Sequence, residues 1–236
     1  DILDKEELIS AQEMMSEDLY DQEFECSFQA AITGSYYGAL IEDLQKNNRI
    51  TSVPYDENLE VETWWDLGLK DSTAIWFVQK YRDEFRIIDY EENSGEGLDF
   101  YADLIDSKPY KYDRHIAPHD IKVRELGAFG KSRLESALEL GISFDIAPKL
   151  SIEDGIEAVR KTLPKCYFDK EKTYQGVEAL KAYQKKWDDK NQCFKNRPIH
   201  NFASHPADAF RYGCTFIGGK MTDWKKEVYV NTNYIV

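Results

Sequence analysis

Between Val61 and Glu92 three β-type runs follow one another, and the connections between them are too short to be anything but turns. They read VETWWDL, STAIWFVQKY and EFRIIDYEE, parted by a glycine turn at Gly68–Asp71 and by the dipeptide Arg82–Asp83. Such short connections join antiparallel neighbours, so the region predicts a three-strand meander. Beyond it the pattern changes. LDFYADLI carries apolar residues at helical spacing, and RHIA is a short strand closed by Pro118. KSRLESALELGI predicts a helix stopped at Gly141, SFDIAP a strand, and SIEDGIEAVRKTL a helix with Ser151 as N-cap. TYQGVEALKAYQKKW and HPADAFRYGCTFI predict two more helices. A meander that passes into β/α units implies an α/β fold, a mixed sheet with helices on both faces.

The N-terminal part reads differently. Residues 4–16 predict a short acidic helix, and NNRITSVPYDENLEVET, with Pro54 as breaker, predicts a hinge. The expected organisation is a linker or remnant of a preceding region over 1–57 and the main domain over 58–236. The chain opens on Asp1 without methionine, as expected for a piece of something longer. No apolar run approaches the roughly 20 residues of a membrane span, and the acidic start is unlike a signal peptide. Cys26, Cys166, Cys193 and Cys214 are scattered without metal-ligand spacing, which predicts incidental thiols.

A net charge of −14 argues against nucleic acid until its distribution is considered. Residues 1–30 hold ten acids and one base, which leaves −5 for the remaining 206. IKVRELGAFGKSR has four bases to one acid, and KAYQKKWDDKNQCFKNR has six to two. Basic patches on an acidic protein can still bind phosphates, although solvated helix and loop faces have the same composition.

Asp66 sits in an apolar and aromatic run, WWDLGL, where an ionised carboxylate costs several kcal/mol to desolvate unless its charge is compensated. A divalent cation compensates it, and a cation needs further oxygen ligands. Asp120, just past the RHIA strand in HIAPHDI, and Asp208, in SHPADAFRYG, are the partners that two neighbouring strands and a crossing helix would deliver. Three carboxylates suit hard ions such as Mg²⁺ or Mn²⁺, and two ions about 3.5–4 Å apart would hydrolyse a phosphodiester. Each acid also has a plainer account: Asp66 as a strand end at a glycine turn, Asp120 as a cap, Asp208 as an exposed helical residue. Asp71 is an additional metal candidate or a turn former. His205 would orient a water, contact phosphate or simply start its helix, while Lys122, Arg124, Lys131 and Arg133 are candidates for the DNA backbone. Trp64, Trp65 and Trp76 are assigned to the core.

Two other motifs compete. GAFGKS ends like a phosphate-binding loop, but Glu125 stands where its first glycine belongs. DLGLKDST is similar to the first phosphate loop of actin-like and sugar-kinase ATPases, yet no second loop of that kind follows. A nucleotide-binding domain is therefore the alternative enzyme reading.

Four longer pieces, DQEFECSFQAAITGSYYG, WWDLGLKDSTAIW, IAPHDIKVRELG with KSRLESALELGI, and HNFASHPADAFRYG, occur in that order from about residue 18 to 213. Together they resemble the nuclease domain of the large terminase subunit of tailed bacteriophages. The resemblance implies an RNase H-like (retroviral-integrase-like) fold and metal-dependent cleavage of double-stranded viral DNA during genome packaging. By position, Asp66, Asp120 and Asp208 match the family's metal-binding acids. It implies as partners the terminase ATPase domain, the small terminase subunit and the portal, with the cytoplasm of the infected bacterium as location. Residues 1–57 would then be the end of the ATPase region, whose phosphate-binding loop is not in this sequence. A non-catalytic module that docks DNA or the portal is the reading from a different class.

Overall fold

The computed structural model describes residues 34–68, 72–123, 131–188 and 190–230, with side chains as far as 218. Helix α1 (Gly38–Lys46) and the two-residue strand β1 (Ile50–Thr51) precede the meander β2 (Val61–Asp66), β3 (Ser72–Tyr81) and β4 (Glu84–Ser94). Helix α2 (Leu98–Ser107), β5 (Tyr112–Ala117), a 3₁₀ turn at His119–Lys122, α3 (Arg133–Glu139) and β6 (Phe144–Ile146) follow. Next come α4 (Ile152–Thr162), β7 (Cys166–Asp169) and α5 (Tyr174–Ala182). The hairpin β8 (Lys185–Asp188) and β9 (Cys193–Pro198) leads into the long helix α6 (Ser204–Val230).

Among the described residues the main sheet has the order β1-β7-β4-β3-β2-β5-β6. The meander is antiparallel as expected, Arg82 turning β3 into β4 with φ of 55°. The strands outside it, β7 on β4 and β5 on β2, pair parallel. Seven consecutive residues of β3 are buried, Thr73 to Gln79. Alternation vanishes because both faces of a central strand are covered.

Side chains along a strand point alternately to opposite faces, so Trp64 and Trp65 serve different cores. Trp64 and Trp76 pack with Ile41, Val159, Phe168, Leu180 and Phe210 beneath α1, α4, α5 and α6. Trp65 packs with Ile75, Phe77, Ile88, Tyr101, Ile105 and Phe144 beneath α2 and α3. All three tryptophans are fully buried, as their sequence context predicts. Gly213 and Gly176 let the helices approach. A Cβ at Gly213 would lie 1.9 Å from Trp64 Cδ2, and one at Gly176 2.3 Å from Trp76 Cη2.

Two differences from the sequence reading have local causes. TYQGVEALKAYQKKW is not one helix. The chain leaves α5 at Tyr183, which takes extended geometry and buries its ring on Tyr37, centroids 5.6 Å apart, and Lys185–Asp188 then pairs with Cys193–Pro198. Within the stretch 1–57, expected as a linker or remnant of a preceding region, Tyr36, Tyr37, Ile41 and Leu44 pack into the core, and Ile50–Thr51 edges the sheet against β7.

The buried Thr63 hydroxyl accepts from Trp65 Nε1 at 2.6 Å and lies 2.6 Å from His115 Nδ1 on β5. The hydroxyl has a second lone pair as well as its proton, so it serves the neutral imidazole in either tautomer. Burial pushes this imidazole down to about 4. Between pH 6.5 and 4 the unfolded chain therefore binds the proton that the folded chain refuses, and stability falls as pH falls through that window. The expected loss is about 3 kcal/mol, flat below pH 4. Urea midpoints measured across this range for the parent and for His115→Gln test it. Parallel curves for the two proteins would remove His115 as the source.

Candidate active site

Asp66 is the last residue of β2, opposite Ala74 of β3. By strand alternation it shares a face with Trp64, the face on which α6 lies. Trp64 seats against Gly213 of that helix, and Trp76 Nε1 donates to the Pro206 carbonyl at 2.9 Å. These two contacts fix the first turns of α6 over the end of β2. As a result His205 Nδ1 stands 2.8 Å from Asp66 Oδ2.

Strand β5 runs parallel to β2, with Ile116 paired to Trp64, so both deliver their C-terminal ends to the same edge. Past Ala117 and Pro118, Asp120 lies in the 3₁₀ turn there, exposed to solvent. Asp208 lies one turn along α6 from His205. It accepts from Arg211 Nη2 at 2.8 Å and from Arg211 Nε at 3.3 Å.

Electrostatics link the three acids. Burial holds the Asp66 carboxyl above the ordinary aspartate range; the charges of Asp208 and Asp120 add to that rise, and the hydrogen bond to His205 opposes it. Tyr212, on the next turn of α6, is raised by burial first and then by Asp208, with Asp66 and Asp120 contributing. The strand ends and the helix thus bring the three carboxylates into one field. They do not form a closed cage: among the described residues no group of three or more His, Cys, Asp or Glu side chains is arranged to hold a metal ion. Asp66 is bonded to His205 and Asp208 to Arg211.

The remaining sequence candidates fall as follows. Lys122 is exposed beside Asp120. Lys131 pairs with Glu139 at 2.6 Å, and Arg133 Nη1 donates to the Leu67 carbonyl at 2.9 Å, bracing the chain just beyond Asp66. Asp71 and Arg124 lie outside the described residues, as does most of the turn on which the actin-like reading rests.

Sequence reasoning missed Arg211 and Tyr183. Arg211 is buried, its Cδ only 2.6 Å from where a Cβ on Gly155 of α4 would stand, and its guanidinium lies 4.8 Å from the Tyr212 ring centroid. Burial, then the charge of Asp208, push the Tyr183 phenol up, which places this ring in the field of that carboxylate. The spacing of three between Asp208 and Arg211 was the available signal for the first.

A meander passing into parallel β/α units, with acids at the strand ends beneath a long C-terminal helix, defines an RNase H-like α/β domain. Solved structures similar to this one include large terminases and large terminase nuclease domains. The large terminase of the thermophilic bacteriophage D6E in complex with ATP-γ-S is 18% identical, matching 91% of this chain and 53% of its own, with a TM-score of 0.58. The P22 large terminase nuclease domain is 19% identical over 71% of this chain and 87% of its own, with a TM-score of 0.55. The large terminase nuclease of the thermophilic phage G20c, solved with bound cobalt, is 14% identical over 76% and 97%, with a TM-score of 0.50. The chain spans about half the length of the D6E protein. No protein-family model matches the sequence, and no curated protein does. At these identities the likeness establishes the fold.

Proposed function

We propose that this chain is a metal-dependent endonuclease that cuts double-stranded viral DNA during genome packaging. The observation that carries the reading is the common edge at which the parallel strands β2 and β5 end, at Asp66 and just before Asp120, beneath α6 with Asp208. There the partly buried Asp66 carboxylate has its proton affinity raised by burial and by the other two charges. Such a concentration of negative charge is relieved by a divalent cation. The donor chemistry fits Mg²⁺ or Mn²⁺, since all three groups offer hard oxygen atoms. The cobalt-bound G20c nuclease, which shares the fold, supports a divalent ion.

Asp66, Asp120 and Asp208 would hold the ions, two in number on this reading. When bound, divalent ions polarise the phosphate and lower the pKa of a water. The protein's part is to position. The hydrogen bond from His205 orients the Asp66 carboxylate, and Arg211 holds one oxygen of Asp208. Exposed Lys122 would contact a phosphate of the backbone, which gives affinity without base choice. The whole-protein context, an associated ATPase region, a small terminase subunit, a portal and the cytoplasm of an infected bacterium, is part of the same proposal.

Supercoiled plasmid tests it. The parent protein is expected to nick and linearise DNA with Mg²⁺ or Mn²⁺ and to stop on addition of EDTA. Asp120→Ala and Asp208→Ala should each lower the rate by about 10²–10³-fold, the scale for losing one charge-stabilising group. Absence of cleavage with either ion, at any protein concentration, would defeat the proposal.

A further inference from the structure

The second basic stretch of the sequence, residues 181–197, has no place in the site described above, and the fold turns most of it into the β8–β9 hairpin. Trp187 pairs with Phe194 across the hairpin, their rings meeting edge to face at 4.8 Å. Phe194 is the inner member, its ring 2.8 Å from where a Cβ on Gly34 would stand, and Trp187 is the outer one, 42% exposed. Asp188 is turned into the hairpin's own loop. It accepts from the backbone N–H groups of Lys190 and Asn191, from the Asn191 side chain, and from Lys195 Nζ at 3.0 Å. Of the other five bases, Lys181 belongs to α5 and Lys185 lies over the Tyr36 ring at 5.9 Å, both half-buried, whereas Lys186, Lys190 and Arg197 are exposed and make no ion pair with a described residue.

The hairpin is fastened to the rest of the domain. Gln184, just before it, bridges to Ser35 and accepts from the Ile199 backbone N–H at 3.0 Å, and Asn196 Nδ2 donates to Glu153 of α4 at 3.3 Å. Pro198 ends β9, and six residues later α6 begins. The His200 ring on that short connection lies 5.7 Å from the ring of His205, which itself contacts Asp66. A protein of charge −14 thus sets three exposed cations and an exposed indole on a braced arm leading into the acid-bearing helix.

We propose that the β8–β9 hairpin grips the phosphate backbone of DNA next to the acid cluster, through Lys186, Lys190 and Arg197, with Trp187 packed against the sugar–base edge. The choice of DNA as occupant rests on the proposed nuclease function. The chemistry itself is general: cations on a rigid two-stranded arm neutralise phosphates and release counterions, and an aromatic face adds sequence-tolerant contact. It also separates two tasks. The cluster repels phosphate until cations bind, whereas the hairpin attracts it without them.

The test is binding of the full 236-residue chain to a duplex oligonucleotide in EDTA, followed by fluorescence anisotropy over a range of salt concentrations. The variant Lys186→Gln/Lys190→Gln/Arg197→Gln is expected to bind at least about tenfold more weakly near 0.1 M salt. Its salt slope should flatten by about 0.9 for each contact removed. Trp187→Ala should weaken binding and leave the slope unchanged. Matching circular dichroism spectra and melting temperatures establish that the variants fold, and single substitutions replace the triple if it does not. Unchanged affinity and slope in a folded variant would overturn the proposal and reassign the arm to an acidic protein partner. A parent protein with no affinity for DNA in EDTA would overturn it as well. Because no metal is present, failure of plasmid cleavage bears on the nuclease reading alone, and loss of metal-free binding bears on the hairpin alone.

Discussion

Asp66→Asn is expected to abolish plasmid cleavage and, in EDTA, to melt at a higher temperature than the parent. The two effects have one origin. Burial and the charges of Asp208 and Asp120 hold the Asp66 carboxyl above its ordinary value of 3.8. The folded chain therefore binds this proton more tightly than the unfolded chain does, and stability declines as pH rises through and above that value. At neutral pH the ionised group is a net cost to the fold. Asparagine removes the charge, keeps the shape, and still offers His205 Nδ1 a partner. The gain should disappear in acid, where Asp66 is already protonated. Cleavage should fall by about 10³-fold, equivalent to roughly 4 kcal/mol of transition-state stabilisation. Mg²⁺ or Mn²⁺ should raise the melting temperature of the parent and leave that of the variant where it was. A variant that melts lower than the parent in EDTA, or that still cuts, would break the link between the strained acid and the activity.

The second large effect concerns packing. Trp64→Ala empties a fully buried site bounded by Phe85, Phe210 and the Gly213 backbone. Truncations of this size cost about 4 kcal/mol, here a fall in melting temperature of roughly 10 °C. Trp65→Ala is the matched control: equally buried, in the opposite core, against Tyr101 and Phe144. Both should lower stability to a similar degree. Trp64→Ala alone also unseats α6, which carries His205 and Asp208, and so should lower cleavage well below what the unfolded fraction explains. Equal losses of cleavage in the two variants would mean that the seat of α6 does not control the site.

What could be read before the fold was known divides along physical lines. The meander was legible because its strands are long, β-rich and joined by turns too short for any crossover. The partnership of the strands ending near Asp66 and Asp120 followed from topology, and β2 and β5 do lie side by side. Strands β1 and β7, of two and four residues, carry too few residues for a period to register. The β8 strand was concealed by the stretch leading into it, since the Lys, Ala and Gln residues of LKAYQKK continue a helix as readily as they leave one. Tertiary contact, the stacking of Tyr183 on Tyr37, decides the matter. Arg211 was hidden because a helix-borne arginine ordinarily belongs to a solvated face. The affinity of Asp208 for it, and the gap left by Gly155, draw it inside.

The adjacency of Trp64 and Trp65 has a consequence for how the domain comes apart. A strand flanked on both sides by hydrogen-bonded neighbours, whose consecutive residues anchor opposite layers, cannot be peeled away by loosening one layer. Its amide protons should exchange with solvent only through global opening, and the carboxylate at its tip inherits that persistence. An acid whose charge burdens the fold is thereby carried by a segment that surrenders its shape last.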